Sequence, residues 1–140
     1  FWKLQGITDA CFGQVFSELR ELKSLTQLKI NLAGCNIGDN GLIGLSKGLN
    51  KLSLLEGLEL DCQKSLKVTD IGLQELAKML GTLLKLQDFS MKIIGCDKLS
   101  KSQIETLYSI VRSLPAFQEY DFTNEPINHG TVYIRSPKYF

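Results

Sequence analysis

Long apolar runs are missing from this sequence of 140 residues. Nothing in it approaches the roughly 20 consecutive apolar residues that span a bilayer, so a membrane is not an expected partner. A charge of one sign is missing too, since 16 Lys and Arg stand against 15 Asp and Glu. Dedicated nucleic-acid binders are usually clearly basic, so nucleic acid is not an expected partner either. Neither a Met nor a basic-then-apolar leader stands at the front. The only histidine is His129, in a Gly- and Asn-rich stretch. A Cys-His or Ser-His-Asp centre would need it together with converging partners, and an exposed loop histidine is the simpler reading.

The four cysteines, Cys11, Cys35, Cys62 and Cys96, form neither CxxC pairs nor a Cys/His zinc spacing. They read as free thiols in a reducing compartment, which points to the cytoplasm. Gly38, Gly41, Gly44 and Gly48 are not followed by the Lys-Ser/Thr of a phosphate loop. Gly41 recurs as Gly72, which suggests tight packing beside a strand rather than a nucleotide site. Glu59 and Asp61 are paired carboxylates, but acid-base catalysis wants a carboxyl group partly removed from water. Catalytic residues, cofactors and metals are therefore not expected, and the chain reads as a non-enzyme.

What the sequence does hold is an internal echo. "NIGDNGLIGLSKGL" at 36–49 returns as "KVTDIGLQELAKML" at 67–80. Sliding the chain on itself at steps of 30, 31 and 31 aligns Ile7, Ile37, Val68 and Leu99. The next columns are Phe12, Leu42, Leu73, Ile104 and then Val15, Leu45, Leu76, Leu107. Others are Leu19, Leu49, Leu80, Val111 and Leu22, Leu52, Leu83, Leu114. The last three begin at Leu25, Leu28 and Ile30 and end at Phe117, Tyr120 and Phe122. Eight apolar columns over four copies define a repeat of 30–31 residues.

Each copy has two halves of different period. Leu42, Leu45, Leu49 and Leu52 are spaced for one face of a helix. Leu28, Ile30 and Leu32 alternate with Lys29 and Asn31, as in a strand with one buried and one open face. Thr8-Asp9, Thr69-Asp70 and Ser100 are helix-start signals, the Asp residues favoured by the helix dipole, and Gly38 is a weaker cap. An eight-unit barrel would need about 250 residues and strands covered on both faces. An α/β chain with one wet sheet face fits an open parallel array of strand-helix units instead.

The pattern Leu28-x-Ile30-x-Leu32-x-x-Cys35-x-Ile37-x-x-x-Gly41-Leu42-x-x-Leu45 resembles a leucine-rich repeat of the long, helix-containing ribonuclease-inhibitor type. The long period and the wording "IGDNGL" are similar to repeat arrays common in ciliate proteins. The resemblance implies a horseshoe solenoid, with a parallel sheet on the concave face and helices on the convex face. It also implies that Cys35 bonds the backbone of its turn. The turns at 60–68 and 91–99 carry one extra residue; no Asn or Cys stands at the matching step, and Asp97 is a substitute in the later copy.

The expected organisation is repeats over 1–122 and an irregular cap or exit segment over 123–140, with Thr131 to Arg135 as a capping strand. Phe1 to Gly6 begins inside a repeat, which suggests a piece of a longer array. The expected function is protein binding through the concave strands, at Lys29, Asn31, Glu59, Asp61, Asp88, Ser90, Lys92, Glu119 and Asp121. With Glu56 these residues are mostly acidic, while Lys47, Lys51, Lys78, Lys98, Lys101 and Arg112 fall on the helical side. A basic protein partner follows by complementarity. The alternatives are a structural segment of a large cytoskeletal or ciliary assembly, and an enzyme regulator such as an inhibitor or GTPase activator. Arg20, Arg112 and Arg135 are the only arginines available for the last role.

Overall fold

The fold was analysed in a computed structural model that describes residues 8–117. The expected sites Glu119, Asp121, His129 and Arg135, and the expected capping strand, lie outside the described residues.

The chain is α/β. Helices α1 (Asp9–Ser17), α2 (Asp39–Leu49), α3 (Asp70–Leu80) and α4 (Lys101–Arg112) alternate with strands β1 (Gln27–Asn31), β2 (Gly57–Asp61) and β3 (Asp88–Lys92). A short 3₁₀ turn, Glu18–Glu21, follows α1. The three strands form an open parallel sheet in the order β1-β2-β3, and each helix packs against the next. Register and sequence columns coincide: Leu28 pairs with Leu58 and Leu58 with Phe89, while Ile30, Leu60 and Met91 form a second row. Among the described residues no helix is long and apolar enough to cross a membrane.

The core lies between the sheet and the helices. Leu42, Leu45, Leu49, Leu52 and Leu55 of the second unit are fully buried, as are Leu73, Leu76, Leu80 and Leu86 of the third. A buried Leu is worth about 2 kcal/mol in transfer alone, so this continuous stripe is the main source of stability. The first unit differs. Val15 and Leu22 fall in the same columns but stay 62% and 50% exposed, because no described unit covers the outer side of α1.

The helix starts hold the units together in a way the single-helix reading missed. The Asp9 carboxylate does not stay on its own helix. Its Oδ1 accepts from Gly38 N–H and Gly41 N–H, both at 2.7 Å, and Oδ2 accepts from Asn40 N–H at 3.1 Å. Gly38 has no capping side chain, so the previous unit supplies the cap of α2. Asp39 repeats the reach into α3, accepting from Thr69 N–H at 2.8 Å, Thr69 Oγ1 at 2.5 Å and Gly72 N–H at 3.0 Å. Asp70 reaches α4 through Ser100 N–H at 2.7 Å. This also corrects the reading of Gly72: a Cβ there would meet Asp39 Oδ1 at 2.5 Å, so the missing side chain makes room for a carboxylate rather than for a strand.

Candidate functional site: the open face of the sheet

Alternation along each strand sends Lys29 and Asn31, Glu59 and Asp61, and Asp88, Ser90 and Lys92 to the face away from the helices. The two β1 residues are exposed and the other five half-buried, whereas Leu58, Leu60, Phe89 and Met91 between them are buried. Parallel register then builds three rows: Gln27, Gly57 and Asp88; Lys29, Glu59 and Ser90; Asn31, Asp61 and Lys92. Seven of the nine residues expected on this face are thereby brought together on one surface.

Their interactions modify the expected acidity. Lys29 Nζ closes on Glu59 Oε1 at 3.2 Å, with the lysine well exposed and the glutamate partly so, so the pair adds little to stability. It does neutralise the centre of the face. Asn31 and Asp61 also work locally at the strand ends. Asn31 Oδ1 accepts from Ala33 N–H at 3.0 Å, and Asp61 accepts from Gln63 N–H at 3.2 Å and from Gln63 Nε2 at 3.1 Å. Both are Asx turns that lead the chain off the sheet. Asp88 Oδ1 is buried and has no hydrogen-bond partner among the described residues. The five charged members are two lysines and three acids, so the face is a mosaic with a slight negative excess.

Sequence reading overlooked Gln27, which extends the same alternation one step back. Its carboxamide lies over Gly57, where an added Cβ would collide with the Gln27 side chain. The turns after the strands were also misaligned. Gly34, Lys64 and Gly95 all take positive φ, of 69°, 60° and 77°, two residues after Leu32, Cys62 and Ile93. One step on, the backbone N–H groups of Cys35, Ser65 and Cys96 donate to the carbonyls of those same three residues. The position matching Cys35 is therefore Ser65 in the second turn and Cys96, not the exposed Asp97, in the third. The extra residue enters after this step, which is why counting back from the helix missed it.

All four cysteines are free. Cys96 Sγ donates to the Cys62 carbonyl at 3.0 Å. Burial pushes both the Cys62 and the Cys96 thiols up, and neighbouring Cys96 adds to the effect at Cys62. Both are held as neutral, unreactive thiols beneath the face. Among the described residues no group of three or more His, Cys, Asp or Glu is placed to hold a metal ion. The chain matches no model of a known protein family, and no curated protein matches it.

Proposed function

We propose that this chain is a non-enzymatic interaction module of the leucine-rich-repeat, ribonuclease-inhibitor-like kind. Its strand-helix units form a solenoid that binds a protein partner through the concave strand face. The observation that carries this reading is the one-sided sheet. One face is packed into the core, and the other presents polar side chains in aligned rows across three strands. Such a surface offers charge, amides and a hydroxyl in fixed register, which suits recognition of a complementary protein surface. The excess of Glu59, Asp61 and Asp88 over Lys29 and Lys92 favours a basic partner. The buried free thiols Cys62 and Cys96 support a reducing, cytoplasmic setting.

A second reading, a structural segment within a larger assembly, draws on the outer side of α1, where Val15 and Leu22 remain open to a neighbour.

The test uses a partner recovered by cross-linking from the native source and then purified. Its affinity is measured for the wild type, for Glu59→Lys/Asp61→Lys on the open face, and for Lys98→Glu as a control off that face. The face variant should lose about tenfold or more, and added salt should weaken the wild type. Equal affinities for all three proteins, indifferent to salt, would overturn the proposal.

A further inference from the structure

The helical side of the molecule is not uniformly closed. On one flank of α2, Gly44 lies against Gly13 and Gly48 against the Phe16 carbonyl, so α1 and α2 meet backbone to backbone. The C-terminal halves of α2 and α3 leave a groove of about 260 Å³ between them. Ile43, Ser46 and Lys47 line it from α2, Glu75, Lys78 and Met79 from α3, and Thr82 from the turn after α3. Ser46 is buried and its hydroxyl donates back to Leu42 O at 2.8 Å, so it leaves volume without offering a polar group to the groove.

Lys47 and Lys78 stand at the same step of successive units and face each other across this groove. Lys47 and the adjacent Lys51 are exposed and have no ion pair among the described residues. Lys78 pairs with Glu75 at 3.1 Å, but with side chains 63% and 44% exposed that bond is weak. Lysines near a helix C-terminus often serve only to offset the dipole. Here the last carbonyls are already occupied. Leu49 O accepts from Leu52 N–H at 2.9 Å and Leu80 O from Leu83 N–H at 3.1 Å. Met79 O accepts from both Thr82 N–H at 2.9 Å and Thr82 Oγ1 at 2.6 Å. Lys47 and Lys51 are thus left over for a partner, while Lys78 is held only by its exposed pair with Glu75.

We propose that this groove is a second docking surface, on the opposite side from the open sheet face, and that it takes an acidic peptide segment. Packed helices lie about 8–10 Å apart, so carboxylates on either side of one apolar residue reach both lysine rims while the apolar group contacts Ile43 and Met79. The proposal stands whether or not the sheet face binds a basic partner.

The test is an amide-resolved NMR titration of the full chain with acetyl-Asp-Glu-Leu-Glu-Asp-amide, its all-lysine counterpart acetyl-Lys-Lys-Leu-Lys-Lys-amide, and phosphatidylserine vesicles. The acidic peptide should shift the amides of Ser46, Lys47, Lys78, Met79 and Thr82. Lys47→Glu/Lys78→Glu, both at exposed positions, should weaken it about tenfold. Glu59→Lys/Asp61→Lys on the sheet should leave it unchanged, which separates this surface from the other. Equal shifts with the two peptides, shifts confined to the sheet, or binding to vesicles without any response to the acidic peptide would each overturn the proposal.

Discussion

The joins between successive units are built from the same parts and are not equally tight. At the first two, a carboxylate from one helix start reaches forward and takes three donors from the next: Asp9 into 38–41 and Asp39 into 69–72. Gly41 and Gly72 stand where the carboxylate arrives. At the third join Asp70 takes, among the described residues, only Ser100 N–H. Gln103 replaces the glycine, its N–H turns to its own Ser100 Oγ at 3.3 Å, and its Oε1 is buried without a partner among the described residues. The difference teaches that the Asp and the Gly form one device. An acid at a helix start ties two units together only if the next helix leaves its first turn bare.

This contrast can be broken most directly at the acids. Asp39→Ala strands the Thr69 and Gly72 amides in a half-buried setting, and should cost about 3 kcal/mol in urea unfolding. Asp70→Ala removes a single bond and should cost about 1 kcal/mol. Equal losses would mean that the carboxylates act through the helix dipole alone.

The turns on the other side of each join sharpen it further. Ser65 is 1% exposed and its hydroxyl has no hydrogen-bond partner among the described residues, where the equivalent Cys96 bonds the neighbouring turn. Ser65→Ala should therefore raise stability by about 1 kcal/mol in the same assay. The smallest effect is expected at Lys64, the one described non-glycine residue with positive φ. Lys64→Gly relieves the left-handed strain at some entropic cost and should gain about 0.5 kcal/mol. A loss at either position would show that the second turn is held by contacts its equivalents do not make.

Much of this architecture was legible because burial writes itself into periodicity. Leu28, Leu58 and Phe89 fell in one column and are partners in the sheet, and Leu42, Leu73 and Ile104 fell in another and are buried on successive helices. The open-face residues Lys29, Glu59 and Ser90 were legible for the same reason, since a strand's period of two leaves them no other side. What was not legible depends on register between units. That Lys29 neutralises Glu59, or that Asp39 belongs to the first turn of α3, involves residues 30 or more apart whose meeting no local pattern reports. The coupling of Asp9 with Gly41 and Asp39 with Gly72 was a usable signal, but it appears only when acids and glycines are read as pairs across copies. The misplaced equivalence of Asp97 had a simpler cause: the inserted residue lies after the thiol position, and alignment from the helix side hides it.

The forward reach of these carboxylates also gives the chain a direction in time. During synthesis Asp9 leaves the ribosome some thirty residues before the Gly38 and Gly41 amides it will satisfy, and Asp39 likewise precedes Thr69 and Gly72. Each newly made helix thus emerges beside an acceptor already in place, and growth from the N-terminal side adds units to a surface prepared for them. Unfolding from that same side removes the cap on which α2, with no capping side chain of its own, depends. Unfolding from the α4 side leaves the caps of α2 and α3 untouched.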